Sequence, residues 1–165
     1  MYLRILSFLT VSAAAIGIIA ASGCKKHNDD NSNTLTISAN INGSVFKPQL
    51  NTALYGTVSH SWLFGGIAQN NGDTTQITIK LNQPVTLNTE LGASGQTFLE
   101  YQDKGVQYLA GTGFGRLSFI VTALDSAKHT IAGSFSGAPV ASNRRDSLAL
   151  TNGSFTATYS VVSNF

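Results

Sequence analysis

Phe155-Thr156-Ala157-Thr158-Tyr159-Ser160-Val161 alternates apolar and hydroxyl-bearing residues without a break. That period of two is the pattern of a half-buried β-strand, with one set of side chains in a core and the other in water. Upstream, Leu148 and Leu150 lead into Asn152-Gly153, residues that tolerate the positive φ of a tight turn. The C-terminal stretch therefore reads as a hairpin.

Working back towards the N-terminus, the same period recurs. Leu35, Ile37, Ala39 and Ile41 alternate with Thr36, Ser38 and Asn40, then Asn42-Gly43 supplies a turn and Val45-Phe46 a return strand that Pro48 ends. Leu54 to Val58 and Trp62 to Gln69 read as strands of weaker pattern, Asn70-Asn71-Gly72-Asp73 as a turn, and Ile77, Ile79 and Leu81 as alternating positions of a strong strand. Pro84 to Gly95 looks like a crossing connection with an extended piece at Val85 to Leu87. Thr97 to Tyr101 and Val106 to Ala110 flank the turn Asp103-Lys104-Gly105. The run Leu117 to Leu124 offers apolar side chains to both faces and predicts a central strand, which Asp125-Ser126-Ala127-Lys128 turns back into His129 to Ser136. Asn143 to Asp146 reads as a charged loop. About ten short strands with no helical period after the leader predict an all-β fold, an antiparallel β-sandwich or small barrel.

The N-terminus has a different character. Arg4 precedes an apolar stretch from Ile5 to Ala21, closed by the small residues Ala21, Ser22 and Gly23 and then by Cys24, the sole cysteine. This is the pattern of a lipoprotein signal peptide over residues 1–23, with cleavage before Cys24 and lipidation of its thiol by diacylglycerol and an N-acyl chain. An uncleaved spanning helix is the alternative, but it needs about 20 apolar residues, slightly more than are present. Residues 24–33 contain no apolar residue beyond the cysteine and read as a flexible tether. Residues 34–165 then form a single all-β domain. With the one sulfur committed to lipid, that domain has to hold together without a disulfide.

Removing Arg4 with the leader leaves nine Lys and Arg against eight Asp and Glu. A balance this close to neutral, with only Lys25-Lys26 and Arg144-Arg145 as basic pairs, argues against a nucleic-acid partner. The expected partner is the bilayer, through acylated Cys24, with a protein or glycan met by the folded domain.

The alternating strand and turn from Ile37 to Phe46, the strand-turn-strand from Leu117 to Phe135 with Leu124-Asp125-Ser126-Ala127-Lys128 at its tip, and the closing Thr151-Asn152-Gly153-Ser154-Phe155 resemble a family of small lipoproteins of the Bacteroidota. That family is grouped as a domain of unknown function, so the resemblance brings no activity and no functional residues. In bacteria of that group, lysine followed by acidic residues after the acylated cysteine resembles a surface-export signal. Lys25 and Lys26 precede Asp29 and Asp30 here. The resemblance thus implies the cell envelope, on the periplasmic side of the outer membrane or at the cell surface.

Chemistry is sparse. His27, His60 and His129 are scattered and form no ligand-spaced pair, so no metal or other cofactor is expected. Asn70 to Asp73 lacks the repeated acids of a calcium loop. Nothing matches a nucleophile elbow, and Gly111-Thr112-Gly113-Phe114-Gly115 lacks the lysine and helix of a phosphate loop. Glu100, on the Phe98 face of its strand, is the candidate acid if the chain is an envelope or glycan-directed hydrolase; the alternative is a solvated rim carboxylate. Tyr55, His60 and Trp62 form the candidate binding surface, since aromatic side chains stack on sugars or anchor protein partners. Against this, Trp62 shares parity with Phe64 and suits a core. The expected function is a non-enzymatic binding or structural accessory module, with the hydrolase as the alternative.

Overall fold

The computed structural model describes residues 35–70, 72–92, 95–111 and 113–165. The expectations for the leader, Cys24 and the tether fall on residues 1–33, outside the described residues.

Among the described residues the chain forms twelve strands and no α-helix. In order they are β1 (Leu35–Ile41), β2 (Ser44–Phe46), β3 (Leu50–Gly56), β4 (Ser61–Asn70), β5 (Asp73–Leu81), β6 (Thr97–Asp103), β7 (Val106–Ala110), β8 (Arg116–Asp125), β9 (Thr130–Ala138), β10 (Val140–Ala141), β11 (Leu150–Thr158) and β12 (Ser160–Val162). They make a β-sandwich of two sheets, one ordered β2-β1-β11-β9-β8 and the other β10-β7-β6-β5-β4-β3-β12. Every pairing is antiparallel except that of β12 with β3.

Turn chemistry explains the hairpins. Asn42 and Gly43, with φ of 49° and 83°, join β1 to β2, and Lys104 and Gly105, at 48° and 80°, join β6 to β7. Positive φ at both central residues is the twist that matches the flanking strands. Two corners of the sandwich are closed by chain that leaves one sheet for the other: β9 runs through Pro139 into β10, and β11 runs through Tyr159 into β12.

Two sequence expectations are corrected. Asn152-Gly153 does not turn the chain; β11 runs straight through it, with a bulge between Leu150 and Gly153 and Asn152 at φ 52°. The extra residue shifts the inward face from Leu150 to Phe155 and Ala157, a change of parity that resembles a turn in sequence. Likewise, Leu117 to Leu124 is an edge strand, not a central one. Its two-faced apolar look comes from a bulge between Val121 and Ala123, which moves the inward face from Phe119 and Val121 to Leu124, opposite Ile131.

An edge strand must have its open backbone groups met. The connection between β5 and β6 supplies them: Asn88 N–H donates to Val121 O at 2.8 Å and Leu91 N–H to Phe119 O at 2.8 Å. Glu90 completes the strap, accepting from Phe119 N–H at 2.9 Å, from Gly92 N–H at 2.7 Å and from the Ser118 hydroxyl. Burial alone raises the pKa of this carboxyl, but the three hydrogen bonds outweigh it and hold the group below its ordinary value.

The core is an aromatic file across both sheets. Phe64 of the larger sheet lies 4.8 Å from Phe155 and 6.0 Å from Phe119 of the smaller one, and Phe119 and Phe155 stack at 5.1 Å. Burying each ring stabilises the fold by about 1.5–3 kcal/mol. Room for the rings is made by missing side chains: Phe155 pairs with Gly133, and Phe135 pairs with Gly153. A Cβ at Gly133 would stand 2.2 Å from Ile120 O and 2.6 Å from Phe155 Cζ, and one at Gly153 would stand 2.3 Å from Phe135 O and 2.6 Å from Phe135 Cδ2, so backbone and ring together exclude a side chain.

Gly133→Ala is expected to destabilise the domain by about 1–3 kcal/mol, as overpacking does, read as a lowered midpoint in urea denaturation. Unchanged stability contradicts the ring-on-glycine packing. For Glu90, a depressed folded pKa means that its contribution is present above the unfolded value of 4.5 and is lost as pH falls through the lower folded value. Glu90→Gln should therefore cost about 1 kcal/mol at neutral pH, after allowing for solvent screening, and flatten the acid limb of the stability profile below about pH 4.5. An acid limb as steep as that of the parent protein counts against the strap.

Candidate functional site

Two hairpin loops meet at one end of the sandwich. Thr57-Val58-Ser59-His60 joins β3 to β4, and Ser126-Ala127-Lys128-His129 joins β8 to β9. Each ends in a histidine with positive φ, 49° at His60 and 51° at His129. Histidine tolerates this region better than most residues, though less readily than glycine.

That backbone turn brings each imidazole back over a tyrosine. His60 Nδ1 lies 3.2 Å from the Tyr55 hydroxyl, and the His129 ring stacks on Tyr159 at 5.3 Å. Tyr159 N–H also donates to His129 O at 2.9 Å. The tyrosines meet edge to face at 6.3 Å, and both rest on Trp62, at 4.6 Å from Tyr55 and 4.7 Å from Tyr159. Parallel pairing of β12 with β3, which sets Val161 opposite Tyr55, brings the chain's C-terminal strand to this cluster.

Exposure divides the cluster into a floor and a rim. Trp62 is 4 % exposed and Tyr159 5 %, whereas Tyr55 is half-buried and both histidines are exposed. Val58, at 72 %, and Val161, at 45 %, add apolar surface beside them. The candidate surface of Tyr55, His60 and Trp62 is thus a real cluster with one correction: the indole is core, not a stacking surface. Trp62 faces inward with Phe64 because the alternation of β4 puts both on the apolar side, where a large ring has most to gain from burial.

Burial pushes the Tyr159 hydroxyl pKa up, aided by the charge of Asp125 and by Tyr55 and opposed by a hydrogen bond with Ser126. The phenol therefore stays protonated at neutral pH. Asp125 is held low chiefly by the Lys128 backbone N–H, then by that of Ala127 and by the Lys128 charge. The arrangement is a hydroxyl and imidazole rim on an aromatic floor, able to donate and accept hydrogen bonds and to stack.

Glu100 stands on the outer face of the larger sheet between Thr78 and Leu109. Its Oε1 accepts from Gln107 Nε2 at 2.8 Å, so the partner the structure gives it is an amide. Asn70 and Asp73 pair across a hairpin between β4 and β5. Among the described residues, no three His, Cys, Asp or Glu side chains gather at metal-holding distance.

Trp62→Ala is expected to cost about 3–5 kcal/mol, the cost of emptying a core position, while Tyr55→Phe, which keeps the stack, should cost about 1 kcal/mol or less. Chemical denaturation measures both, and quenching of the single tryptophan by acrylamide checks the burial independently. Ready quenching in the folded protein places the indole at the surface and overturns the division into floor and rim.

Comparison of the chain with protein-family models, curated proteins and solved structures finds no match.

Proposed function

We propose that this chain is a non-enzymatic lipoprotein of the cell envelope, anchored through acylated Cys24, whose β-sandwich serves as a binding module with the Tyr55, His60 and His129 rim as its contact surface. The observation that carries the reading is the convergence of both histidines of the folded domain with Tyr55 and Tyr159 at one end. Structural need does not require it: left-handed turn positions are better served by glycine, and the imidazoles stand in water. Exposed imidazoles and a half-buried phenol over a buried aromatic floor suit a protein or glycan partner, because they offer hydrogen bonds beside apolar surface.

The anchor supports the same reading. Leu35, where the chain enters the sandwich, pairs with Ala157, two residues before Tyr159. Acylation at Cys24 keeps the domain at the membrane, where an envelope partner is met. Lipid chains at about 0.8 kcal/mol per buried methylene make such attachment lasting when several act together. The outer membrane, on its periplasmic side or at the cell surface, is the proposed location.

The anchor and the surface are tested separately. Cys24→Ser should move the protein out of the membrane fraction or leave it unprocessed; membrane retention with normal leader cleavage refutes the anchor. For the surface, a photo-crosslinking residue at Val58 in the lipidated protein should give envelope adducts that Tyr55→Ala and His60→Gly together reduce about tenfold. Equal adducts from a crosslinker at Lys104, in a distant turn, argue against the rim.

A further inference from the structure

The opposite edge of the larger sheet carries a second feature. After β10, the turn from Ala141 to Asp146 is closed by Ala141 N–H donating to Asp146 O at 2.7 Å and by Arg144 N–H donating to Ala141 O at 2.7 Å. Asn143 Oδ1 accepts from Arg145 N–H at 2.9 Å. Arg144 adopts φ 60° within this turn. A long L side chain in the left-handed region costs of order 1 kcal/mol, and such strain persists where the surroundings impose it.

The result is to lay the Arg144 guanidinium over the Phe114 ring, 5.6 Å from its centroid. Between that turn and the glycine-rich chain preceding β8 lies a cleft of about 220 Å3, lined by Gly113, Phe114, Gly115, Val140 and Arg144. Its floor is apolar, from Phe114 and Val140. Among the described residues no carboxylate pairs with Arg144, whereas Lys104 pairs with Asp73 at 3.3 Å and Lys128 with Asp125 at 3.7 Å. Arg116 follows Gly115 and Arg145 follows Arg144, so every arginine among the described residues belongs to this corner, with Asp146 the one acid in the turn.

We infer that this cleft binds a carboxylate carried on a single six-membered ring, with Arg144 as the anion-binding group and Phe114 and Val140 as the apolar bed. The exposed Arg144 guanidinium, lying over Phe114, offers a planar N–H fork that matches the two oxygens of a carboxylate. The cleft is open to solvent, so one face of a single ring can lie on Phe114 and Val140 while its carboxylate meets Arg144. The site is independent of the rim at His60 and His129: β10 and β12 are the opposite edges of the sheet.

The test is a titration of the 15N-labelled full chain in detergent micelles with D-glucuronate, benzoate, acetate and D-glucose, read at the amides of Gly113, Phe114, Gly115 and Val140. Saturable shifts with glucuronate or benzoate at millimolar concentration are expected, with the tighter of the two identifying a sugar acid or an aromatic acid as the source. Acetate, which lacks the ring, and glucose, which lacks the charge, should bind about tenfold more weakly or not at all. Arg144→Gln should weaken the ring acids about tenfold or more, the loss expected of a charge-assisted pair, with β1 and β11 amides unmoved. If that variant disturbs the turn, Phe114→Leu, which keeps apolar volume, should still weaken binding, and raised salt should do so in the parent protein. No saturable shift with either ring acid, acetate binding as tightly as both, or an unaltered affinity in both variants overturns the proposal.

Discussion

The contact of Phe155 with Gly133 and of Phe135 with Gly153 is the constraint on which the sandwich depends. In both pairs a ring occupies the space of an absent side chain on the facing strand. This lowers the rings into the smaller sheet, so that Phe119 and Phe155 can stack and receive Phe64 from the larger one. Glycine in a strand ordinarily weakens it by lost packing and by backbone entropy. Here the ring of the neighbouring strand replaces the lost packing, and the two sheets gain a shared aromatic centre.

From that centre the rest of the architecture follows by continuity. The aromatic file extends from Phe64 to Trp62 and from Trp62 to the tyrosines Tyr55 and Tyr159. The rim at the histidines is therefore the outer end of the core itself, where imidazoles meet solvent on a buried aromatic floor. Edges are managed by different means. β2, β10 and β12 are very short, and β8 is strapped by the connection carrying Glu90. A carboxylate is well placed there, because an edge strand offers N–H donors that a charged acceptor satisfies more strongly than a neutral one.

Much of this was legible in the sequence, for a physical reason. Alternation is a local property, and strands such as Leu35 to Ile41 or Ile77 to Leu81 display their inward faces residue by residue. What alternation does not carry is the order of strands or the position of a bulge. One extra residue at Asn152-Gly153 or after Val121 inverts parity, and an inverted parity is indistinguishable in sequence from a turn or from a strand buried on both sides. The same limit divides the candidate site. Tyr55, His60 and Trp62 are close in the chain and form a visible group, whereas Tyr159 arrives through the pairing of β12 with β3 and His129, from the loop between β8 and β9, through its contacts with Tyr159. The signal that could have found His129 is its place: like His60, it closes a four-residue loop immediately before a strand. The Arg144 cleft was hidden likewise, since Phe114 and Arg144 meet only where β9 passes into β10.

The most direct test of the account is the proximity of ring and glycine, measured by nuclear Overhauser effects in the folded chain. Strong effects between the Phe155 ring protons and the Gly133 α-protons, and between the Phe135 ring protons and the Gly153 α-protons, are the predicted result. Their absence, with Phe155 instead close to protons of an outward-facing residue such as Ser134, would mean that β9 and β11 pair in another register and that the aromatic centre described here does not exist.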